Sequence, residues 1–317
     1  IVDSIAFWMR GPLLFWIVAL PVAGLAAGPL ASRSLEAAPA AKAGQKRVDP
    51  VVGSQLYGWG QYYEREGKDL WAHLDEALSA LRDAGFHYAE GPLDAAKPEN
   101  NARFAERLRS KGLRPVSLYT GGAFHVDREA AKTTARLIEA ARICRDAGFS
   151  VIVCNPDPIG RDKSDAELQT QADALRDLGR EITNLGLRLG IHHHTPEMRQ
   201  GAREFHSNFQ RTKAGEVDFC FDVHWVYRGG LPPLKALEQY HDRVVSWHLR
   251  QSRDQIWWED LDTGDVDYTA IAAQVRKHHL PRRFAVELAL EQGTRITRTV
   301  VENHRRSREF IRKVFGV

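Results

Sequence analysis

Four residues of metal-ligating type stand at the ends of apolar runs in this chain: His192, Asp222, His248 and Glu287. Two imidazoles and two carboxylates suit Mn²⁺, Co²⁺ or Zn²⁺ better than Ca²⁺ or a thiolate-seeking metal. Counting back by two from each reaches a small residue: Gly190, Cys220, Ser246 and Ala285, respectively. The positions between are bulky: Leu189 and Ile191, Phe219 and Phe221, Val245 and Trp247, Phe284 and Val286. Alternate residues of a strand face opposite sides. The large side chains are therefore expected to face a layer of helices, the small ones an enclosed interior, and the metal-capable group to end the inward face. One histidine or acid at a strand end is ordinarily a surface or supporting group. Four at matched positions point to a shared site, because charged groups are rarely placed inside without a partner.

The elements that would carry these residues alternate in type. Eight strand-like runs are read at 54–59, 86–92, 114–120, 150–156, 188–194, 217–225, 244–250 and 284–290. Between them lie helical patterns, for example Leu70, Leu74, Leu78 and Leu81 at 3.6-residue spacing. Gly85, Gly148 and Gly186 precede the next strands, where a helix-ending glycine is expected. Asp267 in GDVDYTAI reads as a helix N-cap. Eight such units in the about 270 residues from 51 to 317 predict an α/β fold of the (β/α)₈ TIM barrel type, whose usual size is roughly 250 residues. Neither G-x-G-x-x-G nor a Walker loop supports the alternative, an open doubly wound sheet. Active sites of such barrels lie at the C-terminal ends of the strands, where the four residues fall.

Further candidates surround them. In IHHHTPEM, His192 and His194 share a face and His193 is expected to point towards the helices. Glu197 opens the next helix, either as a ligand or base over the mouth or as a first-turn acid favoured by the helix dipole. Glu90, Asn155 and Arg250 end other strands and are expected to face substrate. Trp59, Tyr119, Trp225, Trp257 and Trp258 can form an aromatic wall of the kind that packs on sugar rings.

The 44 Lys+Arg and 41 Asp+Glu leave a net charge of +3, with 43% hydrophobic residues. That composition excludes a disordered, fibrous or multi-span membrane chain, and the even balance argues against a nucleic-acid partner. Three cysteines, Cys144, Cys154 and Cys220, are too few for a disulfide framework. No charge occurs between Gly11 and Ser32, and a basic residue, Arg10, precedes that run. Residues 1–32 therefore read as a secretory signal or an uncleaved membrane anchor, with Met9 as the expected start. Residues 33–50, rich in Ala, Pro, Lys and Gly, read as a linker, and 51–317 as the barrel. Either reading places the barrel outside the cytoplasm, periplasmic or extracellular, with membrane contact only through an anchor. The oligomeric state is not legible.

In LGIHHHTPEM, CFDVHWVYRGG, VVSWHLRQS, GDVDY and AVEL, in that order, the chain resembles the xylose isomerase-like barrel superfamily, in particular its sugar phosphate isomerase/epimerase group. The resemblance implies a metal held by a carboxylate on strand five, an aspartate on six, a histidine on seven and a glutamate on eight. Asp222, His248 and Glu287 match the last three. Strand five departs: many members carry Glu-Asn-His where this chain has His192-His193-His194. It is similar there to a subgroup with His-Asn-His and a nearby glutamate, so the fourth ligand is His192 or Glu197. Trp225 stands where many epimerases place a substrate-contacting histidine. The wider superfamily includes isomerases, epimerases, keto-inositol dehydratases, keto-glycoside lyases and apurinic endonucleases.

The chemistry expected is proton abstraction beside a metal-bound carbonyl of a small sugar or keto-glycoside, unphosphorylated given the export signal. Glu287 or Glu197 would serve as base and Arg250 or His194 would stabilise the enediolate. Return of the proton gives isomerisation or epimerisation; loss of a β-substituent gives dehydration or glycoside elimination. A non-catalytic carbohydrate-binding barrel is the alternative of another class.

Overall fold

The structure, a computed structural model, describes residues 49–317. Its strands are Val51–Gln55 (β1), Tyr88–Pro92 (β2), Ser117–Gly122 (β3), Val151–Pro156 (β4), Arg188–Ile191 (β5), Asp218–Asp222 (β6), Val244–Leu249 (β7), Ser252–Arg253 (β8), Ile256–Trp257 (β9) and Arg283–Val286 (β10). All but β8 and β9 are parallel and close into an eight-membered barrel, with β1 pairing to both β2 and β10. The short strands β8 and β9 form an antiparallel hairpin after β7. The helices are Leu56–Arg65 (α1), Leu74–Asp83 (α2), Glu99–Ser110 (α3), Asp127–Asp146 (α4), Asp165–Asn184 (α5), Arg199–Gln210 (α6), Val223–Arg228 (α7), Pro233–Tyr240 (α8), Tyr268–Lys277 (α9) and Val300–Phe315 (α10). The (β/α)₈ barrel expected from the sequence is the fold observed. The signal or anchor at 1–32 and most of the linker lie outside the described residues. Among the described residues, no helix is long and apolar enough to cross a membrane.

Local chemistry sets the element ends. Asp267 caps α9, its Oδ1 accepting from the backbone of Thr269 (2.9 Å) and Ala270 (3.0 Å). Capping boxes open α5, from Ser164 and Glu167, and α10, from Thr299 and Glu302. The three stop glycines Gly85, Gly148 and Gly186 have φ of 85°, 89° and 80°, the left-handed geometry a side chain resists.

The first strand is a correction. It spans Val51–Gln55, not 54–59, because the Gln55 side chain accepts from the Tyr57 backbone and starts α1 there. Leu56, Trp59 and Tyr63 are apolar at helical spacing, and all three are buried. Trp59 thereby leaves the expected aromatic wall. Its indole nitrogen lies 2.9 Å from His304 Nε2 of α10, outside the barrel.

The bulky residues between the site positions do face the helices. Phe219, Phe221, Trp247 and Phe284 belong to the main core, with ring centroids 4.6, 5.3 and 6.0 Å apart in that order. Each such burial contributes roughly 1.5–3 kcal/mol. Inside the barrel, Ala285 packs with Val51, Tyr88 and Val116, and Cys220 with Val151 and Val153. Val245 is the exception and joins the inner group with Cys220. A register shift explains it: Phe219 pairs with Val244 but Cys220 pairs with Ser246, so β7 carries one extra residue at this point.

Candidate metal centre

His192, Asp222, His248 and Glu287 lie at or next to the C-terminal ends of strands β5, β6, β7 and β10, at the same end of the barrel. Each offers a donor atom within 4.8 Å of the others'. All four are buried, and Glu287, at 8% exposure, is the most accessible. His192 Nε2 lies 3.3 Å from Asp222 Oδ2, and His248 Nδ1 lies 3.0 Å from Glu287 Oε2. Donors that share one ion at about 2.0–2.2 Å stand roughly 3.0–3.4 Å apart when neighbouring in the coordination shell. The donor set, two imidazoles and two carboxylates converging within 4.8 Å, is of a kind that a divalent cation takes.

The rest of each donor residue is held by protein. Asp222 Oδ1 accepts from the Trp225 backbone (2.7 Å) and so caps α7. Glu287 Oε1 contacts Arg250 Nη2, and Arg250 Nε donates to the Glu287 carbonyl (3.2 Å). Burial opposes ionisation of Glu287, but Arg250 and then His248 hold its carboxyl well below the usual carboxylate range. Burial, followed by the neighbouring His248, pushes His192 well below the usual imidazole range, which keeps it neutral. Burial also works against a charged His248, but Cys220, Glu90 and Glu287 outweigh it and raise that imidazole well above its usual value.

His193 points to the helices as expected, its ring 4.5 Å from that of Phe205 and 5.1 Å from that of Phe219. His194 sits edge-on to Trp225 at 5.3 Å. Burial lowers the His194 imidazole to about 3. Of the two candidates for the fourth ligand, His192 is in the cluster. Glu197 instead turns Oε2 to the His194 backbone N–H at 2.7 Å, while Oε1 is buried with no hydrogen-bond partner among the described residues. Burial, and next the neighbouring Glu204, raise its carboxyl to about 7. Glu197 lies in a short 3₁₀ turn, Pro196–Met198, rather than at a regular helix start. The following Gln200, Gly201 and Ala202 all adopt left-handed backbone, φ 52°, 69° and 63°. Such a run costs about 1–2 kcal/mol for each non-glycine residue.

The two strand-end residues Glu90 and Asn155, expected to face substrate, make protein contacts. Glu90 is fully buried, with Oε1 2.8 Å from His248 Nε2 and Oε2 accepting from Ser117 Oγ at 2.5 Å. Asn155 donates to the Pro156 carbonyl (2.8 Å) and turns Oδ1 to His192 Nδ1 (3.4 Å). Both meet protein groups at the level of the cluster: Cys154 pairs with Ile191, which sets Asn155 beside His192, and Glu90 pairs with Gln55 at the end of β1. Parity alone fixes the side, not the neighbour.

Arg250 and Trp225 do meet, within a wall the hairpin completes. The Arg250 guanidinium stacks 4.0 Å from the Trp257 ring and 5.4 Å from that of Trp225. Arg250 Nη1 and the indole nitrogens of Trp225 and Trp257 are buried donors with no hydrogen-bond partner among the described residues. Trp258 turns aside and stacks under Arg253 at 3.7 Å. Glu291, which sequence reasoning missed, clasps the hairpin: it accepts from the Trp257 backbone (2.7 Å) and from Arg228 (3.0 Å). The hairpin turns through Asp254 and Gln255 at φ 51° and 66°. Positive φ at both central residues is the two-residue turn usually signalled by Asn-Gly or Asp-Gly, so Asp-Gln carried a weak signal.

The family model for xylose isomerase-like TIM barrels matches residues 78–314. An inosose dehydratase of Bacillus cereus is 24% identical over 196 residues, covering 58% of this chain and 65% of the relative. The match thus spans just under two thirds of that relative's length. Solved structures share the fold. A sugar phosphate isomerase/epimerase from Parabacteroides distasonis superposes with a TM-score of 0.68 at 19% identity, covering 86% of this chain and 97% of the other. A 3-keto-D-glucoside 4-epimerase from E. coli gives 0.59 at 15% identity, covering 84% and 100%.

Proposed function

The chain belongs to the xylose isomerase-like TIM barrel family, and from that premise we propose that it is a metal-dependent sugar isomerase or epimerase. In this reading it moves a proton beside the carbonyl of an unphosphorylated sugar or keto-glycoside. The observation that carries the proposal is the convergence of His192, Asp222, His248 and Glu287 on one point at the barrel mouth. A divalent ion held there supplies Lewis acidity to a carbonyl and its neighbouring hydroxyl.

The chain's own groups divide the remaining work. Glu197 is the better proton acceptor, because its Oε1 is without a partner and its carboxyl is raised to about 7. Glu287 is held as a carboxylate by Arg250 and His248 and serves as a ligand. Arg250, with Nη1 open, and the neutral His194 are the groups that bear on negative charge developing at oxygen. The open indole donors of Trp225 and Trp257 suit ring oxygens, and their faces suit the apolar side of a sugar ring. The charge-free run from Gly11 to Ser32 supports export, where unphosphorylated sugars are met.

Elimination is a second reading, favoured by the likeness to an inosose dehydratase. It shares the proton abstraction and differs only in losing a β-substituent. Incubation with Mn²⁺ and ketoses, keto-inositols or 3-keto-glycosides in deuterated water tests both. Deuterium at carbon without elimination marks isomerisation or epimerisation, and an unsaturated product marks the lyase. Neither outcome with any substrate, or full activity in Glu287→Gln, would sink the proposal. A binding-only barrel would show no stoichiometric metal and no thermal shift with Mn²⁺.

A further inference from the structure

We propose that Lys163 and Glu204 are positioning residues for Glu197: their sealed ion pair ties the turn that carries Glu197 to the loop after β4 and sets one positive and one negative charge near its carboxyl. The inference rests on the reading of Glu197 as proton acceptor and deepens it.

The pair lies deep. Lys163 Nζ is 2.6 Å from Glu204 Oε1, with side-chain exposures of 1% and 11%. The same oxygen accepts from Gln171 Nε2 at 3.0 Å. Gln171 is itself fully buried and also donates to Asn208 Oδ1 at 2.8 Å. A lysine is almost never placed so deep unless it is paired, because burial penalises its charge.

Its place in the chain gives the pair a task. Between the 3₁₀ turn Pro196–Met198 and Glu204 run Gln200, Gly201 and Ala202, all in left-handed backbone. Side chains resist that geometry, so contacts from elsewhere must hold it. They come from the loop between β4 and α5. Gln200 Nε2 donates to Asp162 Oδ2 at 2.6 Å, and Arg203 Nη1 donates to the Lys163 carbonyl at 2.6 Å. Lys163 then reaches over to Glu204. The turn so held presents Glu197 at 1% exposure, with Oε2 on the His194 N–H and Oε1 without a partner among the described residues. Two charged groups bear on that carboxyl: Glu204 from α6 disfavours its ionisation, and Lys163 from the loop favours it. Tyr119 of β3, kept neutral by burial, is a further titratable neighbour, and Asp157 after β4 acts on Lys163. The pair is neutral as a whole, so losing either member alone leaves a net charge near Glu197.

The test follows the Glu197 side-chain carboxyl by its ¹³C shift in a pH titration of the purified full chain without added metal, with Glu197→Gln to assign the signal. Lys163→Met strands the Glu204 charge and should raise the midpoint by about one pH unit. Glu204→Gln strands the Lys163 charge and should lower it by about as much. Lys163→Arg, which keeps the charge, should stay near wild type. A pair that only braced the turn would admit water to the carboxyl in both broken variants and lower both midpoints together. Midpoints that move the same way, or not at all, overturn the proposal. If Lys163→Met does not fold, Glu204→Asp takes its place. It keeps the charge and should hold the midpoint that Glu204→Gln lowers, and equal shifts in these two overturn the proposal. A wild-type midpoint at the ordinary carboxylate value, with the variant shifts as expected, sinks Glu197 as the base and leaves the pair standing.

Discussion

Arg250 and Glu287 are joined twice at the barrel mouth, guanidinium to carboxylate through Nη2 and guanidinium to backbone carbonyl through Nε. Both side chains are nearly sealed from solvent. Removing one partner of such a pair leaves the other charge stranded, which costs about 3–5 kcal/mol. Arg250→Met should therefore lower the stability of the metal-free chain by that order in urea unfolding. A cation bound beside Glu287 replaces the lost charge, so Mn²⁺ should stabilise Arg250→Met more than wild type. Equal stabilisation would contradict the proposed ligand role of Glu287.

Glu197 as base makes a pH prediction. Its carboxyl is raised to about 7, chiefly by burial, and only the ionised form can accept a proton. kcat/KM should therefore rise with pH through an apparent pKa near 7 and level off above it. Glu197→Gln should lose about 10²–10⁴ in kcat and keep the fold by circular dichroism. A rate independent of pH between 5 and 8 would remove Glu197 from the mechanism.

Stability should also depend on pH through His304. Burial lowers its imidazole from 6.5 to about 4. Its Nδ1 is 2.7 Å from the Val300 carbonyl, and the Trp59 N–H approaches Nε2, which must stay unprotonated to accept it. The unfolded chain binds a proton here near 6.5 and the folded chain only near 4. This contribution is thus fully present above about 6.5 and is lost as pH falls towards 4, about 3 kcal/mol in all. Urea midpoints of wild type and His304→Asn should converge across that window.

The hairpin clasp gives a fourth test. Glu291→Ala removes the acceptor of the Trp257 backbone and of Arg228. Hydrogen bonds to charged groups contribute about 1.5–3 kcal/mol. Amide exchange across residues 252–257 should quicken by at least about tenfold, with the barrel strands unchanged. Unaltered exchange would show that Asp265, which braces the turn through Ser252, Asp254 and Gln255, suffices alone.

Much of this was legible because a barrel strand writes its facing in alternation. Leu189-Gly190-Ile191-His192 and Phe284-Ala285-Val286-Glu287 state which way each side chain turns before any coordinates exist. The neighbour is not written that way. Glu90 and Asn155 have inward parity, and both side chains end beside histidines of other strands, partners that alternation does not name. The start of α1 was missed because Leu56 and Trp59 are as suited to a strand as to a helix, and the decisive Gln55 cap is a single hydrogen bond. Glu291 belongs to no motif, since its role exists only once the hairpin folds over it.

The extra residue in β7 bears on how this chain is lined up with its relatives. Val244 pairs with Phe219 and Ser246 with Cys220, so Val245 has no opposite number on β6. A relative lacking the bulge would reach its equivalent of His248 one residue sooner, with the same facing. A gap-free alignment across this strand would then set Trp247 against the ligand position or move every earlier residue by one. The gap belongs at Val245, and a chain from which that one residue is deleted should still deliver His248 to the same place.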